Sequence, residues 1–257
     1  MGALFIVVPL ALSLLADSVS RSGAYASPDN NRPHAVSEVE VESGSAQITV
    51  TPGPAGRVTV DGELGWLLKR PRIDRTWEGD TLKVHTECDG FVDQYVHTCQ
   101  VGLHLTVPAG VSLTVRSASG EIDVRDLTGP VDLRSGSGGM KLRGLKGTVA
   151  ATVGSGEIEA AQLASPEADL EAGSGTVRAE FSTPPRRVSA TAGSGAVSLT
   201  VPDATRYQVL GHSDSGGRDI QNALVDKASD RILDVTSGSG SVAVGYPGWD
   251  PDAHPAH

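Results

Sequence analysis

A serine–glycine phrase that occurs seven times between Ser117 and Gly240 constrains the fold more than any other feature of this sequence. It reads Ser-Ala-Ser-Gly, Ser-Gly-Ser-Gly or Gly-Ser-Gly, with one degraded copy, Asp-Ser-Gly-Gly. The second serine of each copy and the glycine after it are Ser119 and Gly120, Ser137 and Gly138, Ser155 and Gly156, Ser174 and Gly175, Ser194 and Gly195, Ser215 and Gly216, and Ser239 and Gly240. Successive serines are 18, 18, 19, 20, 21 and 24 residues apart. Such nearly constant spacing predicts a stacked repeat.

Between the phrases, apolar and polar residues alternate in short runs, as in Glu121-Ile122-Asp123-Val124 and Val131-Asp132-Leu133-Arg134. Alternation with a period of two is typical of a strand with one buried face. The unit is strand, turn, strand, turn in about 18–21 residues, which leaves no room for a helix. We therefore predict an all-β fold, a β-solenoid of the β-helix or β-roll type, whose rungs bury their apolar faces by stacking.

Small residues recur at the corners and at the inward positions of this unit. A sharp corner needs a positive φ or a close backbone approach, and glycine provides both without strain. Alanine recurs where the alternation points inward, at Ala151, Ala160, Ala179, Ala190 and Ala192. These alanines predict a narrow interior. Aromatic residues make up only 4% of the chain, which suits a thin solenoid better than a globular core.

The N-terminal end of the chain is apolar over residues 2–15. We predict a signal or membrane-anchor segment over residues 1–21, a linker over 22–34 and a disordered tail over 247–257. The apolar run is shorter than the roughly 20 residues of a full span. Ala24-Tyr25-Ala26 resembles a cleavage site, so cleavage and retention of the segment both remain open.

Residues 35–110 are predicted to form an irregular β region, and residues 111–246 the regular repeats. Ser43-Gly44-Ser45 looks like an earlier copy of the phrase, and the segment 61–100 is a candidate cap over the open end of the solenoid. The chain has two cysteines, Cys88 and Cys99. Behind an export signal they predict a disulfide, which stabilises a fold by roughly 2–3 kcal/mol in the chain-entropy model.

Aromatic and basic residues interrupt the pattern within this irregular region. We predict a possible contact area at Trp66, Lys69, Arg70, Arg72 and Trp77. The formal net charge is −10. Without a run of Lys or Arg, nucleic acid is not an expected partner.

Sites for metals, cofactors and catalysis find little support in the sequence. His85, Cys88, His97, Cys99 and His104 include zinc-ligand types, but a disulfide accounts for the cysteines. The glycine-rich phrases lack the Gly-Lys-Ser/Thr of a phosphate loop. Only the segment Gly216-Gly217-Arg218-Asp219 approaches a calcium-binding repeat. We therefore predict no catalytic, cofactor or metal residues.

Several segments in order resemble a bacterial putative-adhesin family of β-repeat domains, frequent in actinobacteria. They are Val41 to Val50, Pro52 to Val60, Leu105 to Val111 and the Ser-Gly-Ser-Gly rungs. The resemblance covers about Val36 to Val244. It implies a β-helical or β-roll stack behind an N-terminal membrane segment, and no catalytic residues.

The sequence thus predicts an exported, extracytoplasmic protein at the cell surface, membrane-tethered or secreted, with a non-catalytic adhesin-like binding or structural surface. Its expected partners are a protein or a cell-envelope glycan, together with the membrane through the N-terminal segment. Two alternatives remain: a self-assembling scaffold like the bactofilins, and a polysaccharide-acting enzyme of the β-helix type. The latter has longer rungs and a groove lined with acids.

Overall fold

A computed structural model of the protein describes residues 21–28, 30, 33–88, 99–203 and 205–249. The regular structure in this part of the chain is β, apart from a 3-10 turn at Asn222–Leu224. The strands are β1 (Arg21–Ala26), β2 (Glu38–Ser45), β3 (Gln47–Gly53), β4 (Thr59–Trp66), β5 (Arg72–Glu78), β6 (Thr81–Glu87), β7 (Gln100–Pro108), β8 (Ser112–Ser119), β9 (Ile122–Arg125), β10 (Val131–Ser137), β11 (Met140–Arg143), β12 (Val149–Ser155), β13 (Ile158–Leu163), β14 (Glu167–Ser174), β15 (Val177–Phe181), β16 (Arg187–Ser194), β17 (Val197–Thr200), β18 (Gln208–Leu210), β19 (Arg218–Ile220), β20 (Ile232–Ser237) and β21 (Val242–Gly245).

The strands form two sheets that face each other across a thin core. Sheet A has the order β1-β4-β7-β3-β9-β11-β13-β15-β17-β21-β19, and sheet B the order β18-β20-β16-β14-β12-β10-β8-β2-β6-β5. From β6 and β7 onward, each level of the stack is one strand of sheet B, a corner, and one strand of sheet A. Neighbouring levels pair in parallel. The all-β solenoid expected from the repeat is therefore present.

Alternation along each strand puts every second side chain into the space between the sheets. Leu133 of β10 is paired with Val115 on one side and with Ala151 on the other, and all three are buried. The five alanines predicted to point inward are at most 4% exposed. Because each level alone has one apolar face and little thickness, the core exists only through stacking.

The Ser–Gly corners lie one above the other through the middle of the stack. Ser137 pairs in register with Ser119 and with Ser155, and the column continues through Ser174 to Ser194. The earlier copy of the phrase belongs to the same column, since Ser45 pairs with Ser119. The corners are thus aligned, as a columnar stack requires.

At the C-terminal end, the stack departs from chain order. Strands β20 and β21 insert between β16/β17 and β18/β19, so Ser239 follows Ser194 in the column and Ser215 lies beyond both. The inserted corner has a glycine over Gly193 and another over Gly195, and a Cβ at either would approach the carbonyl oxygen below within 2.5 Å. The degraded copy has Asp214 at the first of these positions.

The N-terminal end is covered by antiparallel strands. The level β6/β7 lies outside β2/β3, and beyond it β4 pairs with β7, β5 with β6, and β1 with β4, all antiparallel. The described parts of the segment 61–100, residues 61–88 and 99–100, therefore lie at this end of the stack. The prediction that they act as a cap stays a prediction.

The first part of the predicted linker over 22–34 is a strand instead. Residues 21–26 pair with six of the eight residues of β4, from Arg21 opposite Trp66 to Ala26 opposite Asp61. The side chain of Asn30 then accepts a hydrogen bond from the amide of Val60 (2.8 Å). The small residues Ser22, Gly23, Ala24 and Ala26 show no alternation that would predict a strand. The strand depends on a pairing partner about forty residues away.

Other terminal predictions fall partly outside the described residues. The signal or anchor segment lies there up to residue 20, as do residues 250–257 of the predicted tail. Within the described ranges, no helix has the length and apolar character that a bilayer span requires.

Candidate binding surfaces

The predicted disulfide is confirmed: Cys88 and Cys99 are bonded, with Cα atoms 6.1 Å apart. Strands β6 and β7 form a level of the stack, so the bridge stands where other levels have a Ser–Gly corner. Both sulfurs are used, which leaves no cysteine thiolate for zinc, and His97 lies outside the described residues. Elsewhere in the described ranges, no group of three or more His, Cys, Asp or Glu side chains could hold a metal ion.

Four of the five residues of the predicted contact area lie close together in a segment that we call the basic loop (residues 66–72). It joins β4 in sheet A to β5 in sheet B at the disulfide side of the N-terminal end. The Arg70 guanidinium lies 5.5 Å from the centre of the Trp66 ring, and it donates a hydrogen bond to the carbonyl oxygen of Ala24 (3.1 Å). Arg72 forms an ion pair with Glu87 (2.9 Å). Lys69 is exposed.

The fifth residue, Trp77, is separated from the basic loop. It lies five residues beyond Arg72 along β5, or roughly 17 Å at the rise of an extended strand. Its ring packs against His34 with the ring centres 3.8 Å apart, and Arg75 lies over it at 5.9 Å. Trp77 therefore belongs to a second aromatic cluster at the other end of the strand.

The Ser–Gly corners form a narrow exposed edge of the stack, and their glycines leave no space for side chains. A Cβ on Gly156 would lie 1.9 Å from the carbonyl oxygen of Gly138, and the φ of Gly156 is 143°. The first serine of the phrase turns inward: the Ser135 hydroxyl donates to the carbonyl oxygen of Ser137 (2.8 Å). The second serines, from Ser137 to Ser194, are exposed. Backbone packing and local hydrogen bonds account for the phrase.

Four arginines form a basic belt around two adjacent levels of the stack. They are Arg116, Arg125, Arg134 and Arg143, each nine residues from the next. Nine residues is half of the 18-residue repeat, so two arginines fall on each sheet. On sheet B, Arg116 is in register with Arg134, and on sheet A, Arg125 is in register with Arg143. This belt was not predicted from the sequence, although the nine-residue spacing of its arginines is visible there.

One arginine on each face is neutralised by an aspartate two residues before it. Arg125 bonds Asp123 through Nε (2.8 Å) and through a second, shorter contact, and Arg134 approaches Asp132 at 3.3 Å. The Arg125 guanidinium holds the pKa of Asp123 below its usual value, against the opposing effect of burial. Asp123 is therefore held as a carboxylate.

The other two arginines have no aspartate at this position. Thr114 precedes Arg116 by two residues, and Lys141 precedes Arg143. Arg116 is in register with Glu42 on its other side, but Glu42 lies 3.6 Å from His85. Arg143 is followed in the column by Ala161. Each sheet face thus presents one arginine that forms no ion pair with a carboxylate of the described residues.

A shallow groove of about 470 Å³ runs along the outer surface of sheet B beside Arg116 and Arg134. The hydroxyl-bearing Thr152 and the corner residue Gly136 also line it, and Glu42 closes one end. Guanidinium groups donate hydrogen bonds in a planar fork that matches carboxylate and phosphate oxygens. The groove is therefore suited to an anionic group.

The solved structures that are similar to this chain include three bacterial proteins. A putative adhesin from Parabacteroides distasonis ATCC 8503 has a TM-score of 0.42 at 10% identity, covering 88% of this chain and 97% of that one. A putative adhesin from Bacteroides fragilis NCTC 9343 has a TM-score of 0.38 at 14% identity, covering 88% and 96%. A putative lipid binding protein from Parabacteroides distasonis ATCC 8503 has a TM-score of 0.39 at 12% identity, covering 89% and 98%.

No curated protein matches this chain in sequence. The family model described as Toastrack DUF4097 matches residues 105–245, more than half of the chain and nearly all of the regular levels from β7 to β21. The chain belongs to the Toastrack DUF4097 family.

Proposed function

We propose that this protein is an exported, membrane-tethered β-solenoid that serves as a non-catalytic, adhesin-like binding surface for an anionic glycan of the cell envelope. The observation that carries the proposal is the in-register pair Arg116 and Arg134 on the exposed face of sheet B.

Export is supported by the disulfide between Cys88 and Cys99, because disulfides persist in oxidising compartments outside the cytoplasm. Tethering is supported by the apolar residues 2–15. Cleavage after Ala26 would remove β1, a strand that pairs with β4 over six residues. The pairing of β1 therefore favours retention of the segment before it.

Binding of an anion is supported by the electrostatic repulsion between Arg116 and Arg134 in the free protein. Neighbouring strands are about 4.8 Å apart, and like charges directly opposite each other destabilise a sheet. Asp132 offsets part of that repulsion at Arg134, whereas Arg116 forms no ion pair with a described carboxylate. A carboxylate or phosphate group beside Arg116 therefore supplies the missing negative charge and removes the remaining repulsion. An anionic glycan carries such groups at regular intervals, as the stack carries its side chains.

Neither alternative function is favoured by a comparable feature. A glycan-cleaving enzyme needs a carboxyl group that stays protonated near neutral pH, and Asp123, whose pKa the Arg125 guanidinium lowers, does not fit that role. An end-to-end scaffold needs ends that accept another level. Here the C-terminal end offers β18 and β19, which have three residues each.

Co-sedimentation of the full-length protein with isolated envelopes of the cells that produce it tests the proposal. We expect the wild-type protein to bind, and we expect the double variant Arg116→Gln/Arg134→Gln to lose about tenfold in affinity, a change that converts to roughly 1.4 kcal/mol. Binding of the wild type should weaken as salt is added.

Arg187→Gln is the matched control, since Arg187 lies on the same sheet but is in register with Glu167. It should bind like the wild type. A double variant that binds as tightly as the control contradicts the proposed site. Binding that survives removal of envelope glycans assigns the surface to a protein partner instead.

A further inference from the structure

The chain that precedes β1 enters the fold beside the basic loop. Arg21, the first residue of β1, is in register with Trp66, the first residue of the basic loop. Five residues separate the apolar segment 2–15 from Arg21. Fully extended, they span at most about 18 Å. A membrane that holds residues 2–15 is therefore close to the basic loop, whatever the path of the connecting residues.

The composition of the basic loop matches a lipid surface. Leu68 is 65% exposed, the larger value of the two exposed large hydrophobic side chains in the described ranges; the other is Leu210, at 42%. Next to Leu68 are Lys69 and Arg70, and Arg72, which is paired with Glu87, ends the loop, in a chain with a net charge of −10. Exposed apolar side chains beside Lys and Arg, with a tryptophan at their edge, are the residues that insert at a membrane interface.

The basic loop is also tied to the strand that continues from the apolar segment. Arg70 donates its hydrogen bond to Ala24 of β1, and the Trp66 ring lies against Gly23, where a Cβ would approach the ring within 3.0 Å. Because the basic loop and β1 are held together, a membrane that anchors the N-terminal segment also keeps the basic loop near its surface.

We propose that the basic loop lies on the anionic lipid surface of the membrane that holds the N-terminal segment. Leu68 and the edge of Trp66 enter the headgroup region, and Lys69, Arg70 and Arg72 face lipid phosphates. This inference rests on the tethering proposed above. It makes the N-terminal end of the stack the membrane-proximal end, so that β18 and β19 lie farthest from the lipid.

The test uses the full-length protein reconstituted in vesicles of phosphatidylcholine with and without phosphatidylglycerol. A nitroxide label at Leu68→Cys reports depth through its collision rates with oxygen and with a water-soluble nickel complex. The matched label, at Leu210→Cys, sits at the other end of the stack. We expect the label at position 68 to be shielded from nickel on the anionic vesicles, and the label at 210 to remain in water on both.

Neutralisation of the three cations in Lys69→Gln/Arg70→Gln/Arg72→Gln should return the label at position 68 to water. Removal of Lys69 or Arg70 should each weaken the loop's contact about fivefold, and removal of Arg72 should have a smaller effect because Glu87 already offsets its charge. As a measurement without labels, amide exchange of the unmodified protein should slow in residues 67–70 on anionic vesicles only.

The outcomes separate this inference from the proposed tethering. A protein that fails to float with any vesicle overturns the tethering and this inference together. A protein that floats, but whose residue 68 is as accessible to nickel as residue 210 and whose loop amides exchange unchanged, overturns this inference alone.

Discussion

Gly156 lies directly over Gly138, so closely that a Cβ atom on Gly156 would be 1.9 Å from the carbonyl oxygen of Gly138. The backbone of Gly156 also has a φ of 143°, which side-chain-bearing residues rarely adopt. Replacement by alanine requires two levels of the stack to separate locally. We expect Gly156→Ala to lower the free energy of unfolding by about 3 kcal/mol or more, measured by urea denaturation.

Gly139 provides the control for that substitution. It lies beside the same column, but a Cβ there meets no atom within 4 Å, and its φ is not positive. Gly139→Ala should change the free energy of unfolding by less than about 0.5 kcal/mol. Equal effects of the two substitutions would show that the close corner contact is not what stabilises the stack.

A second prediction concerns the other corner of the repeat. Asp126, Gly144 and Gln162 occupy equivalent positions 18 residues apart, and all three have left-handed backbones, with φ of 54°, 65° and 54°. A non-glycine residue there costs about 1 kcal/mol of strain. Because the Gln162 side chain is exposed, we expect Gln162→Gly to raise the free energy of unfolding by roughly 0.5–1 kcal/mol. Gln162→Ala should give no gain, and a gain from alanine would attribute the effect to the lost side chain.

A third prediction concerns Tyr207, whose hydroxyl is buried without a hydrogen-bond partner in the described part of the chain. Burial raises the pKa of Tyr207 to about 12. The unfolded chain releases this proton near pH 10, so the folded state binds it more tightly between pH 10 and 12. The contribution of this proton to the free energy of unfolding is therefore fully present below pH 10. The free energy of unfolding should fall by roughly 2–3 kcal/mol as the pH rises to 12.

Tyr207→Phe removes both the unpaired hydroxyl and this titration. We expect it to raise the free energy of unfolding at pH 7 by about 1 kcal/mol and to flatten the fall between pH 10 and 12. Tyr246 is the contrast, because its hydroxyl donates to the carbonyl oxygen of Thr205 (2.8 Å). Tyr246→Phe should destabilise the protein. A fall above pH 10 that persists in Tyr207→Phe would assign it to other groups.

The repeat could be predicted because each level of the stack contacts only the levels next to it, which are its neighbours in sequence over most of the chain. A period near 18 residues fixes which residues meet their equivalents, so the inward alanines and the Ser–Gly column followed from spacing alone. The pair Cys88 and Cys99 followed from composition. The nine-residue spacing of Arg116, Arg125, Arg134 and Arg143 carries the same kind of information, and it becomes meaningful once the two-sheet section of the stack is known.

The ends of the stack could not be predicted in this way, because they depend on pairings between distant segments. Strand β1 consists mainly of small residues without alternation, and it forms because it pairs with β4. Trp66 and Trp77 are close in sequence but far apart in the fold. Trp66 lies at the disulfide side of the N-terminal end, and Trp77 lies near the opposite end of β5. The position of β20 and β21 reflects how well a complete Gly-Ser-Gly corner fits over Gly193 and Gly195, compared with the degraded copy at Asp214.

The unusual order at the C-terminal end gives a last prediction. The amide of Ser239 donates to the carbonyl oxygen of Gly193 (3.2 Å), which places Ser239 next to Ser194 in the column, whereas Ser215 lies one level farther away. Adjacent levels are about 4.8 Å apart and alternate levels about 10 Å, and a disulfide requires Cα atoms within roughly 7 Å. Ser194→Cys/Ser239→Cys should therefore form a second disulfide on mild oxidation, detected by peptide mapping, and Ser194→Cys/Ser215→Cys should keep two titratable thiols.

All three serines are exposed, so access to oxidant is matched. Efficient bonding of residue 194 to residue 215 would mean that the levels stack in chain order instead.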